Sequence, residues 1–197
     1  ELLPASYEKA PAYHFTRKAA YAFASRFYLW KGGEANFLKS ILYANKVLGD
    51  VKTDDPSSML RQINDPSSDY MGDYYDGQML YTSSAEPANL LLVAAASNMY
   101  YQPYWRYGMT VAIRTELYKK GIFGYSWAYQ TSGGYDYLIH RPLWTYYFQQ
   151  DGLNANYGVM ISSIPLLTTE EVLLNRAEVN ALLHNYEDAL IDMNTFL

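Results

Sequence analysis

The sequence predicts a mainly α-helical protein in which two helical hairpins, residues 14–50 and 169–197, bracket a long, aromatic-rich, irregular insert over 51–168. Three observations lead there. Apolar and small residues recur at helical spacing near both ends of the chain. Between them the periodicity gives way to Asp, Ser, Gly, Pro and Tyr, the residues of turns and loops. And 22 of the 197 residues are tyrosine, more than a core of this size needs. A tyrosine offers a flat apolar face and a polar tip, so the surplus points to a recognition surface, while any single ring also suits ordinary packing.

The first helix of the first hairpin starts at Thr16, a plausible N-cap, and runs to Lys31, with Phe23, Phe27 and Trp30 as a stripe one turn beyond Ala20. Ala19, Ala22, Ala24 and Ser25 leave room for a neighbouring helix, and Gly32 and Gly33 end the segment. A second helix over 35–48 carries Phe37, Ile41, Ala44 and Leu48. Near the C-terminus Thr168 and Glu171 form a capping box, and Leu174, Ala177, Ala181 and His184 mark a face. Asn185 is the expected left-handed stop, and Tyr186, Leu190, Met193 and Leu197 stripe the partner helix. The hairpins superpose with a constant offset of 152, Thr16 on Thr168 and Gly32 on His184. Each resembles a tetratricopeptide repeat, although any amphipathic hairpin shares part of that pattern. A repeat unit needs neighbours to cover its faces.

In the insert, Asn89–Ala96 is a compact apolar run that fits a buried strand or a short helix. Met109 to Lys120 and Leu143 to Gln149 read as helices, and 121–138 as a loop rich in glycine and aromatics. An irregular insert of this length inside a compact body is usually functional.

Composition narrows the function. A net charge of −5 argues against a nucleic-acid partner, and the longest apolar run, Leu90 to Ala96, is too short to span a membrane. With no cysteine there is no disulfide or thiolate site. Glu170 and Glu171 point to different sides of a helix and serve its start better than catalysis. Asp69, Asp73 and Asp76 form an acidic loop without EF-hand spacing, best read as a solvated turn. His14, His140 and His184 are far apart, and no HExxH, GxSxG or phosphate-loop motif occurs. These readings favour a protein with no cofactor, no metal and no catalytic residue.

The segments LLTTEEVLLNRAEVNALLHNYEDALIDMN (166–194), AAYAFASRFYLWKGG (19–33) and SSAEPANLLLVAAASN (83–98) resemble the SusD/RagB-like family of nutrient-binding proteins, most specifically at Arg176-Ala177-Glu178. The resemblance implies a SusD-like fold on tetratricopeptide-like repeats. It implies a lipoprotein at the outer-membrane surface that captures glycans, or peptides in the RagB branch, for a SusC-like TonB-dependent transporter. The family is more than twice this length, so the chain reads as an internal fragment whose lipid anchor lies upstream of Glu1. Two departures are His184 where glycine is usual and Asn180 where an aromatic is usual. The family's ligand contacts follow no shared motif and are not transferable.

The ligand candidates come from the residues themselves. Trp127, Tyr129, Tyr135 and Tyr137 lie in the glycine-bounded loop among Gln130, Thr131 and Ser132, and Tyr104 and Trp105 precede the expected helix. A sugar ring has an apolar C–H face that an aromatic plane covers and a rim of hydroxyls that amides and carboxylates reach. Each platform contributes about 1–2 kcal/mol, so several are needed to hold a flexible oligosaccharide. The competing reading is packing against the helices, stronger for Tyr104 and Trp105. A repeat scaffold that only docks proteins is the alternative from another class.

Overall fold

The computed structural model describes residues 2–62, 79–96, 109–110, 137–138, 146–150, 152 and 157–197. In chain order the elements are α1 (Arg17–Lys31), α2 (Glu34–Leu48), β1 (Asn89–Ala96), β2 (Met109–Thr110), β3 (Tyr137–Leu138), β4 (Tyr146–Gln150), β5 (Gly158–Thr168), α3 (Thr169–Leu182) and α4 (Tyr186–Phe196). Short 3-10 turns occur at Pro11–Tyr13 and Ser57–Met59. The chain divides into two compact units, Glu1–Ala94 with Ser163–Leu197, and Ala95–Ser162.

The first unit holds α1 to α4. The Thr16 hydroxyl accepts from the Ala19 N–H at 3.2 Å and opens α1, satisfying one of the donors a helix start leaves free. Gly32, at φ 72, closes it. The buried face of α1 is made of Ala19, Ala22, Ser25 and Leu29. These small side chains let the helices approach until the buried Ser25 and Ser40 meet. The Ser40 hydroxyl donates to the Ser25 carbonyl at 2.8 Å, and the two hydroxyls lie 3.2 Å apart. Because the Ser40 proton is committed to the carbonyl, Ser25 supplies the proton of the second bond. Close approach selects the small side of α1, and the expected Phe23–Phe27–Trp30 stripe therefore faces outward, 50%, 49% and 84% exposed.

Helix α3 packs against both α1 and α2, and α4 packs on α3. The Thr168 hydroxyl accepts from the Glu171 N–H at 3.2 Å, the same bond that Thr16 makes in α1. Half of the expected capping box is thus formed; the Glu171 carboxylate turns instead to Arg26. On α3 the buried face is Val172, Leu173, Arg176, Ala177, Val179 and Asn180. Of the face expected there, Ala177 is buried, while Leu174, Ala181 and His184 are exposed. On α4, Ala189 and Asp192 are buried, and Tyr186, Leu190, Met193 and Leu197 face outward. His184, at φ 63, takes the left-handed conformation expected of Asn185, which instead precedes α4. The glycine usual at this place would adopt that conformation without a Cβ penalty.

One apolar core joins these pieces. It is formed by Ala19 and Ala22 of α1, Ala44, Val47 and Leu48 of α2, Leu60 beside the Ser57–Met59 turn, Leu90 and Leu91 of β1, Leu167 of β5, and Val172 and Leu173 of α3. Each large side chain fully removed from water there contributes about 1.5–3 kcal/mol. The run at 89–96 is a strand, with Asn89 to Leu92 buried and Val93 exposed. Its start meets the end of β5, where the Thr169 N–H donates to the Ala88 carbonyl at 3.0 Å.

In the second unit β4 pairs antiparallel with β5, from Tyr146 opposite Ser162 to Gln150 opposite Gly158. The short helix expected over Leu143–Gln149 is therefore a strand from Tyr146 onward. Aromatic residue types have high strand propensity, and pairing with the following strand overrides the local helical pattern. Strand β2 pairs antiparallel with β3, Met109 opposite Leu138 and Thr110 opposite Tyr137. The helix expected from Met109 thus begins as strand; its remainder to Lys120 lies outside the described residues.

Candidate functional site

Of the expected ligand-binding residues, Tyr137 belongs to β3, opposite Thr110. Trp127, Tyr129, Tyr135, Tyr104 and Trp105 lie outside the described residues, as do Asp69, Asp73, Asp76 and His140.

Glu170 and Glu171, the adjacent carboxylates at the start of α3, are committed to holding the fold. Glu171 of α3 takes Arg26 of α1 on both carboxylate oxygens, and the second guanidinium nitrogen of Arg26 also donates to the Leu166 carbonyl at 2.6 Å. The hydrogen bond to Glu171 raises the Arg26 pKa above the ordinary arginine value against the opposing cost of burial, with the Glu171 charge adding to it. Glu170, the adjacent residue, accepts the Arg61 backbone N–H on Oε1 at 3.1 Å and faces Arg61 Nη1 with Oε2 at 2.8 Å. The two carboxylates diverge to separate arginines, as their adjacent positions on a helix require.

Arg61 is itself a junction. It donates to the Asn89 side-chain carbonyl, and its guanidinium carbon lies 4.0 Å from the centre of the Tyr81 ring. The Asn89 amide donates to the carbonyls of Tyr81 and Ser83, both at 2.9 Å. Thr169 Oγ1 donates to the Met59 carbonyl at 2.6 Å. Together these bonds tie the 57–62 turn, the start of β1 and the start of α3 into one polar lock. His14 packs its ring 4.6 Å from that of Tyr7, and His184 Nδ1 lies 2.8 Å from the Tyr186 hydroxyl. Among the described residues no three His, Cys, Asp or Glu side chains gather where they could hold a metal ion.

The outer surface of the α1–α2 hairpin is the most distinctive feature of the described residues. Phe15, just before the Thr16 cap, and Phe23, Phe27 and Trp30 of α1 stand exposed. Phe15 meets Phe23 edge-on and Phe23 stacks with Phe27, each at 6.4 Å between centroids. Phe27 meets Tyr28 edge-on at 5.3 Å, and Tyr28 stacks with Tyr43 of α2 at 5.7 Å with planes 2° apart. Tyr21 joins Tyr43 at 6.1 Å, and Lys46 lies 5.0 Å and 5.2 Å from the two ring centres. Sequence reasoning misses this continuous aromatic ladder as a site, because its phenylalanines have the spacing of a core stripe. The signal that reveals it is the small-residue face on the opposite side of the same helix, since one helix packed on one side buries only one of the two.

No curated protein and no solved structure matches the chain. One family model does, over residues 1–29, which take in the Pro11–Tyr13 turn, the Thr16 cap and most of α1. By that match the family this chain resembles is the SusD-like one, described as starch-binding and associating with the outer membrane.

Proposed function

We propose that the chain is a binding module that captures oligosaccharide at the outer membrane without chemical conversion and passes it to a SusC-like TonB-dependent transporter. The observation that carries this reading is the match of residues 1–29 to a family described as starch-binding and outer-membrane-associated. The commitment of Glu170 and Glu171 to arginines supports it, because neither is poised as the acid or base that glycoside hydrolysis requires. In this reading the protein is tethered by a lipid anchor, and the hairpins at 14–50 and 169–197 are tetratricopeptide-like repeats of one SusD-like domain. Equivalent bonds at Thr16 and Thr168, and left-handed stops at Gly32 and His184, support the repeat. The ligand sits on the insert, with Trp127, Tyr129, Tyr135 and Tyr137 as its platforms and Tyr104 and Trp105 beside them.

The test is a titration of the protein with starch-derived oligosaccharides and, in parallel, with a peptide panel, followed by tryptophan fluorescence and calorimetry. Saturable binding of the glucan that weakens in Trp127→Ala is the expected result. Binding of peptides alone would transfer the reading to the RagB branch.

A second reading, a scaffold that docks another protein, draws on the exposed Phe23, Phe27 and Trp30. It predicts no response to either panel and capture of the partner transporter through α1.

A further inference from the structure

We propose that the outer face of the α1–α2 hairpin docks on an anionic, phosphate-bearing lipid surface. The proposal stands apart from the glycan reading, because it rests only on the order and charge of the side chains along this face. Phe15, Phe23 and Phe27 form its apolar edge, and Trp30, at 84% exposure, stands beside the Gly32–Gly33 turn as an amphipathic ring. Tyr28, Tyr43 and Tyr21 follow, joined to that edge through the Phe27–Tyr28 contact. Beyond the tyrosines come cations, Lys39 at 5.4 Å from the centre of the Tyr28 ring and Lys46 over Tyr43 and Tyr21. Apolar rings, then amphipathic rings, then long basic side chains is the order in which these groups partition across a membrane interface. Phenylalanine enters the acyl boundary, tyrosine and tryptophan sit at headgroup depth, and lysine reaches the phosphates.

The charge selects the surface. Arg17, Lys18, Arg26, Lys31, Lys39 and Lys46 lie on the two helices against Glu34 as the one acid. Arg26 is neutralised by Glu171, and Arg17 and Lys18 reach the Leu3 carbonyl and the Met59 sulfur, which leaves Lys31, Lys39 and Lys46 against Glu34 in a chain whose net charge is −5. The outer face of the α3–α4 hairpin provides an internal comparison. It also exposes apolar residues, Leu174, Leu182 and Leu190 among them, but carries the exposed acids Glu178 and Glu187. An anionic surface attracts the first hairpin and repels the second, so docking would be one-sided.

The experiment is co-sedimentation of the protein with vesicles of phosphatidylcholine alone and of phosphatidylcholine with phosphatidylglycerol, at low and high salt. Two variants, Phe23→Ser with Trp30→Ser, and Lys39→Gln with Lys46→Gln, alter side chains of the outer face only, and their folding is checked by circular dichroism and melting. The expected result is partition onto the phosphatidylglycerol vesicles that weakens with salt. It should fall about fivefold for each lysine removed, and by at least about tenfold when the Phe23 and Trp30 rings are replaced. Equal partition onto neutral vesicles, unchanged partition of either variant, or concentration-dependent self-association abolished by the Phe23/Trp30 change would overturn the proposal. Oligosaccharide titration of the same variants without vesicles reports on ligand capture alone, so failure of one reading is told apart from failure of the other.

Discussion

Arg176 and Asp192 form a doubly hydrogen-bonded ion pair in which each residue is only 1% exposed. Nε donates to Oδ2 at 2.9 Å and Nη2 to Oδ1 at 2.7 Å, the parallel geometry that a guanidinium and a carboxylate share. The remaining nitrogen, Nη1, donates to the Asn45 side-chain carbonyl at 2.8 Å and to the Gly49 carbonyl at 2.6 Å. One side chain of α3 thus binds α4 on one side and the end of α2 on the other. A buried charge is tolerable only with its hydrogen bonds filled, and here they are.

Removing one partner should therefore cost far more than the pair contributes. Arg176→Ala or Asp192→Ala is expected to lower unfolding free energy by about 3–5 kcal/mol, because each leaves an uncompensated buried charge or its orphaned partners. Arg176→Met combined with Asp192→Leu should recover most of that loss. Urea denaturation of the three variants measures it, and a double variant no more stable than the singles would show that the pair is not the source.

Gly49 should tolerate no side chain. Its φ of 87 is left-handed, and a Cβ there would lie 2.6 Å from the Asp54 Cβ. Gly49→Ala is expected to cost about 1–3 kcal/mol from backbone strain, with the clash in addition. His184 predicts the opposite sign. It holds φ 63 with a Cβ present, so His184→Gly should stabilise the protein by about 1 kcal/mol, less whatever the exposed contact to Tyr186 contributes. Thermal melting of the two variants checks both signs at once.

The Arg26–Glu171 pair is about one-third exposed on either side, so screening limits it, and Glu171→Gln should cost about 1 kcal/mol or less. Arg26 has a raised pKa, so the stability it contributes is present below the ordinary arginine value and is lost as pH rises through the raised one, in strong alkali. Asp55 runs the other way. Hydrogen bonds from the Ser57 backbone N–H, at 2.9 Å, and from its side chain hold the Asp55 pKa below the usual carboxylate value. Its contribution is present above that usual value and disappears as pH falls through the depressed one. A carboxyl NMR titration should place the Asp55 midpoint on the acid side of an ordinary aspartate.

What local chemistry decides is legible in the amino-acid sequence. The Thr16 and Thr168 caps and the Gly32 stop depend on a few adjacent residues, and each lies where its pattern places it. What depends on distant neighbours is not. Phe23, Phe27 and Trp30 have core periodicity, yet the partner helix takes the Ala22–Ser25 side, and no single-helix pattern says which of two competing faces is covered. Tyr146 pairs with Ser162 of the next strand, a pairing outside the 143–149 window that outweighs its helical look. His184 and Asn185 both tolerate the left-handed region, so local pattern places the stop only to within one residue. Of the expected ligand residues only Tyr137 falls among the described residues, where β3 pairing accounts for its backbone; the aromatic ladder on α1 and α2 is hidden by its own regularity.

Trp127→Ala should reduce glucan affinity by about fivefold to thirtyfold, the loss of one platform worth about 1–2 kcal/mol, with no change in melting temperature. Unchanged affinity in isothermal titration would remove Trp127 from the site.

The central claim is capture without conversion. The most direct measurement is calorimetric titration of the protein with a starch-derived oligosaccharide, with chromatography of the recovered sugar after prolonged incubation. Saturable binding and an oligosaccharide recovered at its original length are the predicted result. Absence of binding at any accessible concentration, or shortened products that accumulate with time, would contradict it.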